Sequence, residues 1–489
     1  MISEKLEPKK VFEIFEQIAS IPHGSYNIDA ISDWIVEFAK NNNLEYYQDK
    51  DKNVIVRREA SKAYENAPTL ILQGHIDMVC SKEPDIDFDF NNDPLDLYID
   101  GDFLKARGTT LGADDGVFVA YALALLTDDL LDCCKLEAIF TVNEEVGLLG
   151  AASIEADKIK GHYMINIDSC EENSIIVSCA GGQDAEIKFN VKKEKCNLDA
   201  YSLKVTGLSG GHSGEQINQG LGNANVILMD VLKIIAKSNE LRLSSIEGGV
   251  ADNVIPSNCE AIIHLSNDEA LFIQDIISAL DSAYRDKYKE TDAGIKILFN
   301  KTDSSSKEIF VRDSLINILS FVDQAPNGVV KMSKEMEGLV ETSLNFGIIS
   351  TNDDYVSLIY SMRSSVDSEK VDLFNLLKSI AENNSGELTD LGGYPGWEFN
   401  KESELRPVFE EVFENMYDKK LKIEAIHAGL ECGIFAGKIN NLDCVSMGPD
   451  VFDLHTTKER LSVSSAKRTY EFLKNVIKCF SEKMKNQRG

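Results

Sequence analysis

Short apolar runs that end in acidic or histidine residues are the feature that most constrains the fold. The runs Thr69–Gln73, Leu136–Val142 and His162–Ile167 have the length and composition of buried strands. Helical patterns separate them, which predicts an α/β fold. In α/β sheets, ligands bind at the carboxyl ends of the strands, so we expect the polar residues that follow the runs to meet in one crevice. These residues are His75, Asp77, Glu144, Glu145 and Asp168.

The pattern changes after about residue 195. Between residues 196 and 385, strand and helix patterns still alternate, but the strands no longer end in clusters of Asp, Glu or His. We predict that 196–385 is an inserted α+β domain and that 1–195 and 386–489 together form the first domain. The turn-rich segment Gly392–Gly396 marks the return to that domain. The remaining predicted elements are helices at 10–20, 116–127, 219–237, 268–288, 367–382, 404–418 and 463–482, and strands at 259–265, 355–363 and 443–447.

The composition narrows the classes of function. The formal net charge of −31 repels phosphate backbones, so no nucleic-acid partner is expected. The ten cysteines include no C-x-x-C pair, which favours free thiols in a reducing cytosol. The first residues lack the apolar core of a signal peptide. The longest apolar run, Val117–Leu126, is about half the length that spans a bilayer. We therefore expect a cytoplasmic protein with no membrane partner.

Two of the candidate motifs combine a histidine or a carboxylate with a second acidic residue. His75 and Asp77 form an H-x-D pair, and a carboxylate two residues away is well placed to orient a metal-binding histidine. Asp114 and Asp115 stand at a helix start within Gly112–Gly116, where one carboxylate could bridge two metal ions. Taken alone, the aspartate pair is explained more simply as a helix N-cap.

The other candidates are carboxylates at strand ends and a late histidine. Two adjacent glutamates, Glu144 and Glu145, could serve as a general base beside a metal ligand, with a solvated loop as the alternative. Asp168 also follows a strand, and His455 lies in a loop near the C-terminus. Together the motifs offer two histidines and several carboxylates, which are ligands of zinc, and no cysteine that would suggest a structural thiolate site.

In this order and spacing the motifs resemble those of the dinuclear-zinc exopeptidases, a family that includes carboxypeptidase G, peptidase T and the carnosinases. The resemblance covers essentially the whole chain. The ordered set is Gly-His-Ile-Asp, Gly-Ala-Asp-Asp-Gly, Asn-Glu-Glu-Val-Gly, Asn-Ile-Asp and His455. Within the family, the chain is most similar to the branch that hydrolyses aminoacyl-histidine dipeptides. The strings that carry this closer similarity are Ile21–Ser25, Leu72–Val79, Ser178–Gly182, Gly210–Gly214, His427–Gly433 and Asp453–Thr457.

The resemblance implies a catalytic domain with a mixed sheet flanked by helices, and an inserted lid of the type that also dimerises. It implies two zinc ions, which cobalt or manganese could replace at a site of nitrogen and oxygen donors. The implied activity is hydrolysis of dipeptides, in particular Xaa-His dipeptides such as β-alanyl-histidine. A broader dipeptidase or tripeptidase, an N-acyl amino acid hydrolase and an inactive scaffold are the alternatives. The implied partner is a small peptide, and a homodimer is left open.

The resemblance also implies roles for individual residues. The implied zinc ligands are His75, Asp114, Glu145, Asp168 and His455. Asp114 would bridge the two ions, with His75 and Asp168 completing one site and Glu145 and His455 the other. Glu144 would be the general base and Asp77 would orient His75. The Asp114–Asp115 peptide is expected to be cis.

The implied substrate contacts come mainly from the inserted segment. His212 would steady the carbonyl oxygen of the scissile bond, either in its own subunit or across a dimer, and Arg363 would bind the substrate carboxylate. Asn253 and Gly429 are further candidate contacts. For His427 a supporting hydrogen bond is expected, and no role is implied for Glu431.

Overall fold

Apolar runs and helices alternate through the first 179 residues, as the sequence predicts. The computed structural model describes residues 2–238, 240–303 and 307–486. Three short 3-10 turns lie at Ser3–Lys5, Lys62–Tyr64 and Ala156–Lys158. The helices and strands of this stretch are α1 (Lys9–Ala19), α2 (Asp29–Asn41), β1 (Glu45–Gln48), β2 (Val54–Arg58), β3 (Leu70–His75), β4 (Leu97–Asp100), β5 (Phe103–Ala106), α3 (Ala113–Leu126), β6 (Leu136–Thr141), α4 (Leu149–Ser153), β7 (Tyr163–Asn166) and β8 (Ser174–Cys179).

The middle of the chain is richer in strands. Its elements are β9 (Gly181–Asn190), β10 (Lys193–Lys195), β11 (Asp199–Thr206), β12 (Gly211–His212), α5 (Ala224–Ser238), β13 (Leu243–Gly248), β14 (Val254–Ile255), β15 (Cys259–Leu265), α6 (Asn267–Lys287), β16 (Lys296–Lys301), β17 (Glu308–Phe310), α7 (Arg312–Gln324), β18 (Gly328–Met332), β19 (Val340–Thr351), β20 (Tyr355–Ser364), α8 (Asp367–Asn383) and β21 (Glu387–Tyr394). The last elements are α9 (Arg406–Tyr417), β22 (Lys422–Ile426), α10 (Glu431–Lys438), β23 (Asp443–Ser446), β24 (Val451–Phe452), β25 (Arg460–Ser462) and α11 (Val463–Met484).

The chain forms two units. Unit 2 comprises Ala180–Gly396 and Ile426–Gly429, and unit 1 comprises the remaining residues. Unit 2 therefore begins earlier and ends later than the predicted boundaries at 196 and 385. The reason is strand pairing, because β9 lies between β20 and β21 in the sheet of unit 2.

The sheet of unit 1 is mixed, with a parallel centre. Its strand order is β1-β2-β6-β3-β7-β23-β8-β22, and the neighbours β6, β3, β7 and β23 run parallel to one another. Every residue of β3, β6 and β7 is buried, which explains their continuous apolar composition. Parallel neighbours present their carboxyl ends at the same edge, so the residues that follow β3, β6 and β7 emerge side by side.

Helix α3 packs against β3 at close range. Thirteen of its fourteen residues are buried, which matches the all-round apolar composition of Val117–Leu126. A Cβ atom at Gly74 in β3 would overlap Asp115 Oδ2 and the ring of Phe118. Glycine at this position therefore permits the helix that begins near Asp114 to approach the strand that ends in His75.

Unit 2 is an antiparallel sheet covered by helices, in agreement with the predicted α+β class. The strand order is β16-β11-β15-β13-β19-β20-β9-β21, with β18 also paired to β19. Helices α5, α7 and α8 pack on these strands. The core is mainly aliphatic, and it includes Phe346 and Tyr360, which stack with ring centroids 4.6 Å apart.

The cysteines agree with the prediction of free thiols. All ten are unpaired, seven are buried, and Cys80 is the exposed exception. Burial raises the pKa of Cys179 to about 12, so its thiol stays protonated. Over the described residues, no helix has both the length and the apolar composition that crossing a membrane requires.

A buried ion pair joins β2 to β6 in unit 1. Arg57 Nε donates to Glu137 Oε1 over 2.8 Å, and Glu137 is fully buried. The other carboxylate oxygen accepts the backbone N–H groups of Lys160 at 2.9 Å and Gly161 at 3.1 Å. All of these partners are needed, because a buried charge without compensation is strongly destabilising.

We expect Glu137→Gln to lower the free energy of unfolding of unit 1 by about 3–5 kcal/mol, since Arg57 loses its buried counter-charge. Urea denaturation measures the change. Glu59→Gln is the matched control, because Glu59 pairs with Lys135 at the exposed end of the same sheet region, where a loss below about 1 kcal/mol is expected. Equal losses in the two variants would contradict the prediction.

Candidate metal centre

One carboxylate lies between the two candidate histidine ligands. Asp114 Oδ1 is 3.0 Å from His75 Nε2, and Asp114 Oδ2 is 3.2 Å from His455 Nε2. The Asp114–Asp115 peptide is cis, as expected. Each oxygen of Asp114 thus faces a different histidine, and these histidines come from opposite ends of the chain.

Two more acidic side chains complete the cluster. Asp168 Oδ1, which follows β7, is 3.7 Å from His75 Nε2. Glu145 Oε1, which follows β6, is 3.1 Å from His455 Nε2. Candidate ligand atoms of His75, Asp114 and Glu145 lie within 4.8 Å of one another. All five residues that the sequence proposes as ligands therefore meet at one place.

The donors in this cluster suit a divalent cation. They are imidazole nitrogens and carboxylate oxygens, the ligands that zinc takes outside thiolate sites. The Oε1 atom of Glu145 is buried and makes no hydrogen bond of acceptable geometry with any described residue. Burial and the neighbouring carboxylates of Asp114 and Glu145 raise the pKa of Asp168 to about 6. A bound cation would give the Glu145 Oε1 atom a partner and would favour the ionised form of Asp168.

Asp115 has a structural role beside its neighbour. Asp114 and Asp115 have non-helical backbone dihedral angles, and among the described residues neither carboxylate accepts a backbone N–H group of α3. The explanation of the aspartate pair as an N-cap is therefore wrong. Asp115 is buried instead, and its Oδ2 accepts the backbone N–H of His75 at 3.3 Å. It thereby ties the start of α3 to the end of β3.

Asp77 connects His75 with Glu144. The Nδ1 atom of His75 lies 3.0 Å from the backbone oxygen of Asp77 and 3.6 Å from its carboxylate Oδ1. That same Oδ1 accepts the backbone N–H of Glu144 at 3.0 Å, and Oδ2 accepts the Ser25 hydroxyl at 2.8 Å. Asp77 thus fixes both the ring of His75 and the backbone that carries Glu144.

Glu144 stands next to a candidate ligand without being one of the close donors. The loss of hydration on burial raises the pKa of Glu144 well above its ordinary value, and nearby Asp168, Glu431 and Glu145 add to the rise. A carboxyl group with a raised pKa can take up and release a proton near neutral pH.

The four candidate substrate residues belong to unit 2. Arg363 is buried, its Nη1 donates to the Tyr394 hydroxyl at 3.1 Å, and its Nε is buried with no hydrogen-bond partner among the described residues. His212 is half-buried, and its Nδ1 accepts the backbone N–H of Glu215 at 3.1 Å. The neutral ring therefore carries its proton on Nε2, as a donor.

Asn253 lies beside His212 in the chain fold, and Gly429 lies beside the ring of Tyr394. The backbone oxygen of Asn253 accepts the N–H of Ser213 at 2.9 Å, next to His212, while the side chain of Asn253 is exposed. A Cβ atom on Gly429 would come within 2.7 Å of the ring of Tyr394. The structure thus brings Gly429 to the aromatic ring that holds Arg363.

Two residues left without a clear role make buried hydrogen bonds. His427 Nε2 lies 2.7 Å from the Ser343 hydroxyl, which confirms the expected supporting bond. Glu431 is fully buried, and its Oε2 accepts from Gln73 at 2.5 Å and from Thr141 at 2.7 Å. Glu431 therefore links α10 to the centre of the parallel sheet.

Sequence reasoning missed Tyr394. Its ring lies between Gly182 and Gly429, since a Cβ atom on Gly182 would come within 2.6 Å of it. The sequence of Gly392–Gly396 predicts only a turn. The available signal was an aromatic residue among glycines, a composition that allows close backbone approach to a ring.

Comparison with known proteins identifies the family. The model of peptidase family M20/M25/M40 matches residues 71–478. The chain belongs to this family. It is therefore an enzyme, a hydrolase of peptide bonds, and the α/β fold with a catalytic and a lid domain is that of the family. Because family M20 includes metallopeptidases, membership implies that a divalent metal binds.

Two relatives are similar over nearly their whole length. The cytosol non-specific dipeptidase of Escherichia coli is 33% identical over 97% of this chain and 98% of its own. The crystal structure of aminoacylhistidine dipeptidase from Vibrio alginolyticus has a TM-score of 0.92 and 32% identity, with 97% of each chain covered. The M20 metallo-carboxypeptidase Sso-CP2 from Sulfolobus solfataricus shares the fold, with a TM-score of 0.51, 13% identity and coverage of 97% and 99%.

We expect zinc to raise the melting temperature of metal-free protein by several degrees, since a ligand at about 100 times its Kd stabilises by about 2.7 kcal/mol. Asp114→Asn should abolish the rise, because Asp114 lies between both histidines. Asp443→Asn is the control. Asp443 is buried in β23 and accepts from Ser403 and Leu405, so its loss should lower the melting temperature and keep the zinc-dependent rise. Scanning fluorimetry with and without chelator measures both.

Proposed function

We propose that this chain is a dinuclear zinc dipeptidase whose substrates include Xaa-His dipeptides such as β-alanyl-histidine. The observation that carries the proposal is the Asp114 carboxylate between His75 and His455, with Glu144 beside the cluster. The dipeptidase names of the relatives from Escherichia coli and Vibrio alginolyticus support the substrate class.

The metal ligands divide into two sets that share Asp114. His75 and Asp168 would hold one ion, and Glu145 and His455 would hold the other. When bound, the ions would supply the Lewis acidity that activates water and polarises the scissile carbonyl. Zinc suits these nitrogen and oxygen donors, and cobalt or manganese could replace it.

Glu144 is the proposed general base. Its carboxylate would take a proton from the attacking water and later give it to the leaving amine. The raised pKa of Glu144 suits this exchange. Asp77 supports the role by holding the backbone N–H of Glu144 and the ring of His75.

Unit 2 would supply the substrate contacts. Arg363 would bind the C-terminal carboxylate, which restricts substrates to short peptides, and its unpartnered buried Nε supports this role. His212 would donate from Nε2 to the carbonyl oxygen of the scissile bond, with Asn253 and Gly429 as further contacts. The same chemistry follows whether His212 serves its own chain or the other subunit of a homodimer.

A broader dipeptidase is the second candidate function. The relative from Escherichia coli is named a non-specific dipeptidase, and it is as similar to this chain as the relative named for aminoacyl-histidine dipeptides. The cytosol in its name, together with ten unpaired cysteines, supports a cytoplasmic location.

Substitutions of the adjacent residues Glu144 and Glu145 should have different effects on activity and zinc content. Glu144→Gln should keep both zinc ions and lower kcat by about 10²–10⁴-fold, because the proton acceptor is lost. Glu145→Gln should lower zinc content, because a ligand is lost. Metal analysis of dialysed protein and steady-state kinetics measure the two effects. Full activity in Glu144→Gln would remove Glu144 from the role of base.

A substrate panel tests the specificity. Chelator-treated protein reloaded with zinc would be assayed on β-alanyl-histidine, Gly-His, Gly-Leu, Gly-His amide and an N-acetyl amino acid. We expect zinc-dependent cleavage of the first two and a much larger KM for the amide, which lacks the carboxylate for Arg363. Equal rates on Gly-Leu and Gly-His would favour the broader dipeptidase. No hydrolysis with two ions bound would favour an inactive scaffold.

A further inference from the structure

A buried glutamate holds the backbone that leads into Asp114. Glu459 is 3% exposed, and each of its oxygens accepts from two consecutive backbone N–H groups. Oε2 accepts from Leu111 at 2.7 Å and Gly112 at 3.1 Å. Oε1 accepts from Ala113 at 2.8 Å and, more weakly, from Asp114 at 3.4 Å. The loop before α3 is thus wrapped around one carboxylate.

This contact satisfies backbone donors of a loop that precedes the regular helix. Asp114 and Asp115 have non-helical backbone dihedral angles, so the regular part of α3 begins after them. The N–H groups of the preceding loop have no helical partner, and a buried N–H group without an acceptor is costly. Glu459 supplies the acceptor atoms from a distant segment.

The same glutamate is close in sequence to His455. Its backbone N–H donates to the oxygen of Thr456 at 3.1 Å, which closes a tight turn between the two residues. His455 is otherwise weakly held, with 48% of its side chain exposed. His455 therefore directly precedes a hydrogen-bonded turn that ends at the residue whose carboxylate holds the Asp114 loop.

We propose that Glu459 is a positioning residue that sets the separation of His455 and Asp114 and so controls the affinity of the metal site these two residues share with Glu145. The inference rests on the proposed two-ion function. The expected loss of affinity concerns mainly the metal site formed with His455. The ligands used only by the other site, His75 and Asp168, are held by other residues.

The two ligands that only the other site uses, His75 and Asp168, are held without Glu459. His75 ends the fully buried strand β3 and is held by Asp77 and Asp115. Asp168 follows the neighbouring parallel strand β7. Loss of Glu459 should therefore weaken one ion much more than the other.

Glu459→Gln is the direct test. Glutamine offers one oxygen where the carboxylate offers two, and its NH₂ group would face backbone N–H donors. Metal-free protein would be titrated with zinc against a chromophoric chelator. The wild type should bind two ions, and the variant should bind the second about 10–100-fold more weakly, the usual cost of losing a residue that orients metal ligands. The first ion should change much less.

Glu137→Gln is the matched control, because Glu137 is also a buried carboxylate of unit 1 that accepts consecutive backbone N–H groups. It should lower stability without changing either zinc affinity. If the glutamine variant does not fold, Glu459→Asp replaces it in the titration. This variant keeps the charge but shortens the side chain, and it should lower the affinity for the same zinc ion by a smaller factor.

The outcomes separate the two proposals. If the wild type binds fewer than two ions, the dinuclear function fails. If the wild type binds two ions and Glu459→Gln binds both with unchanged affinity, the positioning role fails and the function stands. An equal weakening of both ions in Glu459→Gln, or the same pattern in Glu137→Gln, would reduce Glu459 to a general contributor to stability.

Discussion

Repulsion between carboxylates at the edge of the parallel centre of the mixed sheet is the constraint on which the construction of unit 1 depends. The carboxylates are those of Asp114, Asp168, Glu144 and Glu145, and they have little contact with water. Like charges at such distances repel by several kcal/mol even at an effective dielectric constant of about 20. Loss of hydration on burial raises the pKa values of Asp168 and Glu144, and the neighbouring carboxylates add to the rise. Two imidazoles lie beside the Asp114 carboxylate and offset part of the repulsion. A bound cation would offset more of it.

The rest of unit 1 keeps these groups from moving apart. Buried strands β3, β6 and β7 fix the starting point of each ligand-bearing loop, and hydrogen bonds fix the loops themselves. Asp77 and Asp115 each accept a backbone N–H beside a functional side chain. Binding energy is then not spent on ordering the ligands, which is the advantage of a site built on rigid elements.

The strand-end pattern predicted the α/β class and the convergence of His75, Glu145 and Asp168. The parallel centre of the sheet, which the structure shows, brings their loops together. The contact of His455 with Asp114 came from the resemblance, since no local pattern joins residues so far apart. The two units of the structure divide at 180 and 396 rather than at the predicted 196 and 385, because β9 pairs with β20 and β21, which lie far along the chain. Glu459 and Tyr394 were missed for the same reason: each acts on backbone or side chains distant in sequence, although Glu459 stands only four residues after a candidate ligand.

The wide separation of Asp114 and His455 has a consequence for biosynthesis. They are 341 residues apart, and ribosomes add about 5–20 residues per second. Roughly 20–70 s therefore pass between the synthesis of Asp114 and that of His455. For most of that time the nascent chain carries His75, Asp114, Glu145 and Asp168 without His455. On the proposed ligand set, a chain cut short before His455 lacks one ligand, so the complete centre forms only in essentially finished molecules.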